Sequence, residues 1–136
     1  MWIEPVIDRT QSDVINKTPK GFINDIDLNR IEINSKYLAE QLNKYGYKVM
    51  IFTKIDWDMI KFPSTTEINR IRDNVNVLLE AYFKMPGSPD IKYWNYLNWQ
   101  DANSLEQNLL NINILLGLMV QSFKYCGDFA CGEDVI

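Results

Sequence analysis

The sequence predicts a mainly α fold. Its core is three helices built from an internal repeat, joined by long aromatic-bearing connections and followed by an extended C-terminal tail. Three observations carry this reading. First, Leu28-Asn29-Arg30-Ile31 recurs 40 residues later as Ile68-Asn69-Arg70-Ile71, and the two copies continue alike to Asn34 and Leu38, and to Asn74 and Leu78. Second, a weaker copy shifted by a further 37 residues sets Leu105, Asn111 and Leu115 on Ile68, Asn74 and Leu78. Third, the apolar positions of the first two copies (Leu28, Ile31, Leu38, Leu42 and Ile68, Ile71, Leu78, Tyr82) fall on one side of a helix at about 100° per residue.

Each element has local signals. Thr10-Gln11-Ser12-Asp13 caps a short turn that ends before Pro19. The first long helix is expected over 25–44, with Asn24 and Asp27 at its start and Tyr45-Gly46 at its stop. Tyr47 to Thr53 is rich in β-formers but too short and isolated to build a sheet, and reads as extended chain packed on the bundle. The second helix is expected over 65–84, opened by the capping box Ser64-Thr65-Thr66-Glu67 and closed by Pro86-Gly87. Ser88-Pro89-Asp90 then caps a short helix from Ile91 to Tyr96. The third long helix is expected over 102–125, with Asp101 and Ser104 at its start and Cys126-Gly127 at its stop. Phe22, Phe62 and Trp99, each two residues before a cap, are placed to staple the first turn. The expected core is Leu28, Ile31, Leu38, Leu42, Ile68, Ile71, Val75, Leu78, Leu105, Ile112, Leu115 and Met119.

With 136 residues, 46% of them hydrophobic and 17 aromatic, the chain fits one domain over 1–136. Within it the repeats fall at about 20–46, 56–87 and 93–125, and the extended tail at 126–136. Histidine is absent, which excludes Ser-His-Asp and Cys-His catalysts and imidazole metal sites. The net charge is −4; acids and bases balance at 13 each over 1–100, so the excess lies in 101–136 and no basic nucleic-acid face is expected. The longest apolar stretch, Ile114 to Val120, is far below the roughly 18 residues of a membrane span. Met1 to Pro5 lacks the pattern of a secretory signal, which points to synthesis in the cytosol. Cys126 and Cys131 make no disulfide scaffold and too few ligands for structural zinc, and read as reduced cysteines.

Trp2 with Asp8-Arg9-Thr10, Lys20-Gly21-Phe22-Ile23-Asn24, Asp27-Leu28-Asn29-Arg30-Ile31-Glu32 and Tyr37-Leu38 resembles the small virion proteins and tail-associated modules of phages and prophages of Gram-positive bacteria. In those modules an aromatic, a cap and a Leu-Asn-Arg-Ile-Glu helix recur within one chain. Phe62-Pro63 before Glu67 to Ile71, and Tyr93-Trp94 before Leu105 to Asn108, match the later copies, although the third has lost Asn-Arg-Ile. The resemblance spans most of residues 1–125. It implies a non-enzymatic structural or assembly role in a phage tail, in contact with other tail proteins and in a possible homo-oligomer. It implies no catalytic residues, cofactor or metal.

Among candidate site residues, Asn34, Asn74 and Asn111 lie at the border of the apolar stripe, where their amides meet either connector backbone or another subunit. Asn29 and Asn69 point away from the stripe and read as solvated. Arg30 and Arg70 are candidate contacts for acids on a partner, with pairing inside the chain as the alternative. Trp57, Trp94 and Trp99 read as staples, the alternative being a stacking platform for glycans. Asp56, Asp58, Asp90 and Asp101 are the acids from which a glycan-hydrolysing tail tip would draw a carboxylate pair. In the tail, Phe129, Val135 and Ile136 are candidate partner contacts, with the Val49 to Thr53 stretch of a neighbouring copy as a possible docking edge.

Overall fold

Capping and apolar periodicity together produce four helices among the described residues: α1 (Gln11–Ile15), α2 (Asp25–Lys44), α3 (Thr65–Ala81) and α4 (Trp99–Asp128). The computed structural model describes residues 2–17, 23–58, 63–93 and 97–128, the last five of these as backbone only. No strand is present among the described residues. Phe22, Phe62, Trp94, Phe129, Cys131, Val135 and Ile136 lie outside them, and with them the staple roles of the first two and most of the tail.

Helix α2 starts on a complete capping box. Asn24 Oδ1 accepts from the Asp27 N–H at 3.0 Å and the Asp27 carboxylate accepts from the Asn24 N–H at 3.1 Å. It ends where Gly46, at φ +95°, lets the Tyr47 N–H reach back to Leu42 O at 3.0 Å and its own N–H to Asn43 O at 3.2 Å. That is the left-handed glycine termination expected from Tyr45-Gly46. Helix α3 begins with half of its box, Ser64 Oγ accepting from the Glu67 N–H at 3.3 Å. It ends at Ala81, three residues before the expected position 84, and Gly87 at φ +85° completes a Pro86-Gly87 turn closed by Ser88 N–H to Met85 O at 3.0 Å.

Helix α4 departs most from expectation. Its capping box is Asn98 with Asp101, at 2.8 and 3.2 Å, rather than Asp101 with Ser104. The helix therefore starts one turn earlier, at Trp99. Trp99 is its first residue and not a staple before the cap; the indole N–H donates to Gln11 Oε1 at 3.2 Å. At the other end α4 continues to Asp128, through Cys126 and Gly127, so residues 126–128 extend the helix instead of opening the tail. Residues 91–93 are not helical, contrary to the short helix expected from Ile91.

Helices α2, α3 and α4 run parallel, because contacts between them climb all three in step. Arg30 meets Glu106 low on α2 and α4, and the Tyr45 and Phe123 rings meet at 6.1 Å higher up. On α3, Arg72 meets Asp101, and the Tyr82 hydroxyl donates to Leu115 O at 3.1 Å one end further on. The seam between the three helices holds Leu28, Ile31, Leu38, Leu42, Ile71, Val75, Leu78, Leu105, Leu109, Ile112 and Leu116, with Trp57 and Val49 from the connection. Leu109 and Leu116 take places expected for Leu115, which is half-buried, and Met119 only borders the cluster. With Ala102 fully buried at the first core position, the stripe of α4 is Ala102, Leu105, Ile112 and Leu116, one turn ahead of the register expected from Leu105. In the connection after α2, Val49 is buried while Met50 and Phe52 are 79% and 72% exposed, so the stretch alternates as extended chain lying on the bundle.

Candidate functional site

Parallel helices need connections that run the length of the bundle, and the polar side chains at the edges of the stripe hold these connections down as straps. Asn34 on α2 donates to Ile3 O and accepts from the Ile3 N–H, both at 2.8 Å. Asn74 on α3 donates to Phe52 O at 2.7 Å. On α4 the matching residue is Asn108, which donates to Pro89 O at 2.9 Å, and not Asn111. Asn111 instead donates to Ser88 Oγ at 2.8 Å and accepts from Gln107. An amide is suited to this work because its donor and acceptor match the carbonyl and N–H of an extended backbone.

A second row of asparagines grips the far ends of the straps, and sequence reasoning missed it. Asn29 was expected to be solvated, yet it exchanges both bonds with Trp57 backbone at 2.8 and 3.0 Å. Asn103 on α4 does the same with Arg9, at 2.9 and 3.2 Å. The strap 3–9 therefore bridges α2 and α4, and the strap 52–57 bridges α3 and α2. Asn69 accepts from Arg72 Nη1 at 3.2 Å.

Between the two rows lie buried ions. Glu106 and Asp27 receive both Arg9 and Arg30: Arg9 Nη2 lies 2.8 Å from Glu106 and 3.0 Å from Asp27, and Arg30 binds Glu106 through Nε and Nη2. Arg9 is 2% exposed and Glu106 fully buried. Burial works to lower the Arg30 pKa, but the hydrogen bonds and charges of Glu106 and Asp27 outweigh it and raise the group above its ordinary value. The equivalent acid on α2, Glu32, takes the Trp57 indole N–H, the Lys54 N–H at 2.8 Å and Arg70 Nη1 at 2.5 Å. Arg70 also reaches Phe52 O at 2.7 Å. At this height α3 carries Arg72, which pairs across to Asp101 on α4 at 3.4 Å. Arg30 and Arg70 thus both bond within the chain, Arg30 buried and the Arg70 side chain 25% exposed.

The other candidates scatter. Trp57 is 4% exposed, with its N–H on Glu32, so it forms no exposed platform. Asp101 is buried in its cap and ion pair, while Asp90 is exposed beside Lys84 at 3.0 Å, which holds its carboxyl below the usual range. Asp56 faces Lys54 from the strap at 4.0 Å. Open grooves are present among the described residues. One of about 580 Å³ lies between Met50 and Phe52 of the strap and Arg70, Asp73 and Asn74 of α3; one of about 280 Å³ lies along α2 at Ile33, Tyr37 and Ile55. Among the described residues no cluster of three or more metal-ligating side chains occurs, and no helix is long and apolar enough to cross a membrane. Most polar groups gathered here are matched to one another, while Arg9 Nε, Arg70 Nη2, Arg72 Nε and Asn108 Oδ1 are buried without a hydrogen-bond partner. No protein-family model, curated protein or solved structure matches the chain.

Proposed function

We propose that the chain is a non-enzymatic structural or assembly component of a phage or prophage tail, made of three helix-and-strap units and acting through protein contacts. The observation that carries this reading is the use made of the residues that resemble virion modules. Arg9 of Asp8-Arg9-Thr10 and Asn29 and Glu32 of Asn29-Arg30-Ile31-Glu32 serve as struts between a strap and its helices, and Arg30 ties α2 to α4. Asn34, Asn74 and Asn108 repeat one strap contact on three helices, which supports a repeated unit whose third copy is offset from the second by 34 residues, one helical turn short of 37. A motif consumed in holding a fold serves rigidity, and rigidity is what an assembly part requires.

Partners of this reading are other tail proteins and further copies of the chain, at a virion location. The test is mass spectrometry of purified particles induced from a host carrying the gene, with the chain expected at a stoichiometry shared with tail proteins. Its absence from purified particles would overturn the proposal, as would reproducible glycan cleavage by the purified chain.

A further inference from the structure

We propose that the outward face of α4 is a dimer surface, on which the α4 helices of two copies of the chain pack antiparallel about a two-fold axis. The three long helices start level, from caps at Asn24, Ser64 and Asn98, so offsets of 40 and then 34 residues match each position of α2 to one on α3 and one on α4. On the outward side Glu40 and Glu80 share one such position, and Lys44 and Lys84 share the position four residues on; all four are exposed. There α4 carries Ile114 and Leu118, 45% and 55% exposed, and it has Leu110 where the other copies have Lys36 and Asn76. From Gln107 to Phe123 it holds no charged residue. One position that is charged in two copies and apolar in the third, while exposed in all, marks a surface that something covers.

A second copy is the occupant that fits. A two-fold surface must complement itself, and a charged face laid on its own image sets like charges together, whereas this uncharged one meets no such conflict. Leu110, Ile114, Leu118 and Gln121 follow one another at intervals of four, four and three residues, which makes one stripe along the helix. Length points the same way. Helix α4 has 30 residues, about 45 Å, against 20 and 17 for α2 and α3, about 30 and 25 Å, so it projects about 15 Å beyond α2. A projecting end draws little support from its own bundle, and helix ends depend on packing. With the axis midway between Leu110 and Gln121, each projecting end lies along the Leu110 end of the other copy. Antiparallel pairing also sets the three aligned helix dipoles of one bundle against those of the other. The dimer deepens the self-association in the function proposed above and rests on it, while its test needs no particle, so either can fail alone.

Sedimentation of the full chain from micromolar to near-millimolar concentration should show a reversible equilibrium between monomer and dimer, one that high salt leaves intact because no charges meet. Ile114→Glu with Leu118→Lys writes into α4 the residues that α2 and α3 hold at these positions. It should weaken the dimer at least about tenfold, the loss of buried apolar side chains from both copies, with helix content and the urea midpoint of the monomer unchanged. Leu118→Lys alone should weaken it in the same direction. In a Cys126→Ser, Cys131→Ser background, Leu110→Cys in one copy should be joined to Gln121→Cys in another by a short bifunctional maleimide, and neither variant to its own kind. A monomer at every concentration, a dimer that salt dissolves, an undiminished dimer in the double variant, or Leu110→Cys joined to itself would each overturn the proposal.

Discussion

Asn108 and Pro89 are joined by one hydrogen bond where Asn34 and Ile3 are joined by two. The cause is the imino acid: Pro89 has no N–H to offer, and the buried Asn108 Oδ1 is left without a partner. Pro89→Ala restores the missing donor. An unsatisfied buried acceptor costs about 1–3 kcal/mol, and the added freedom of the unfolded chain offsets about 0.4–1 kcal/mol of the gain. The variant should therefore be more stable by about 1 kcal/mol, read as a higher urea midpoint at unchanged slope. A loss of stability would mean that the strap does not present residue 89 to Asn108 as residue 3 is presented to Asn34.

Glu106 pairs with two arginines at once. In the set Arg9, Arg30, Asp27 and Glu106 the charges balance, all four being at least nine-tenths buried. Glu106→Ala leaves two cations against one carboxylate in a site that water does not reach, and should cost about 3–5 kcal/mol. At the exposed pair, Lys84→Ala should leave the melting midpoint unchanged within error, because solvent screens that contact. Similar losses at both positions would contradict the burial assigned to Glu106.

The register of α4 gives a third test. Leu109→Ala and Leu116→Ala remove side chains that are 0% and 4% exposed and should each cost about 2–5 kcal/mol by burial lost and cavity left. Leu115→Ala, half-buried at the edge of the seam, should cost clearly less. The reverse order would restore the register in which Leu115 is core.

These outcomes bear on what the sequence makes legible. Helices α2 and α3 could be read closely because a polar cap precedes a stripe whose first positions are all large and apolar, as at Asn24 with Leu28 and Ser64 with Ile68. At α4 the first core position is Ala102, too small to stand out as apolar, so the apolar pattern points to Leu105 instead and shifts the expected cap, Trp99 and Asn111 with it. A signal was present: Ile31-Glu32 and Leu105-Glu106 repeat an acid directly after a core residue, and aligning on that pair gives the observed offset. The clamps of Asn29 and Asn103 were not legible. Helical periodicity locates the face that meets other helices and is silent on the face that a connection crosses.

Gly117 lies within α4 with no atom within 4 Å of an added Cβ and no positive φ. Nothing there requires glycine, so its backbone freedom in the unfolded state is a net loss to the helix. Gly117→Ala should stabilise the chain by about 0.5–1 kcal/mol and raise the thermal midpoint. A destabilised variant would indicate that this exposed turn of α4 closes on something during folding or assembly.

Tyr93 supplies a pH dependence with a defined sign. Partial burial pushes its hydroxyl up to about 12, and its hydrogen bond to the Asp73 carboxylate, at 2.7 Å, adds to the rise; the Asn76 amide, donating to the same oxygen, works against it. Because the folded value exceeds the ordinary 10.0, the folded state favours the protonated phenol. The contribution to stability is therefore fully present below pH 10 and fades as pH rises towards about 12, where the tyrosinate would face Asp73 as a like charge. Comparing wild type with Tyr93→Phe removes the background from the other six tyrosines. The stability difference between the two should be constant below pH 10 and shrink across the window from 10 to about 12, and one late-titrating tyrosinate absorbance should disappear in the variant. A difference that stays flat through that window would show that the Tyr93 hydroxyl does not rest on Asp73 in solution.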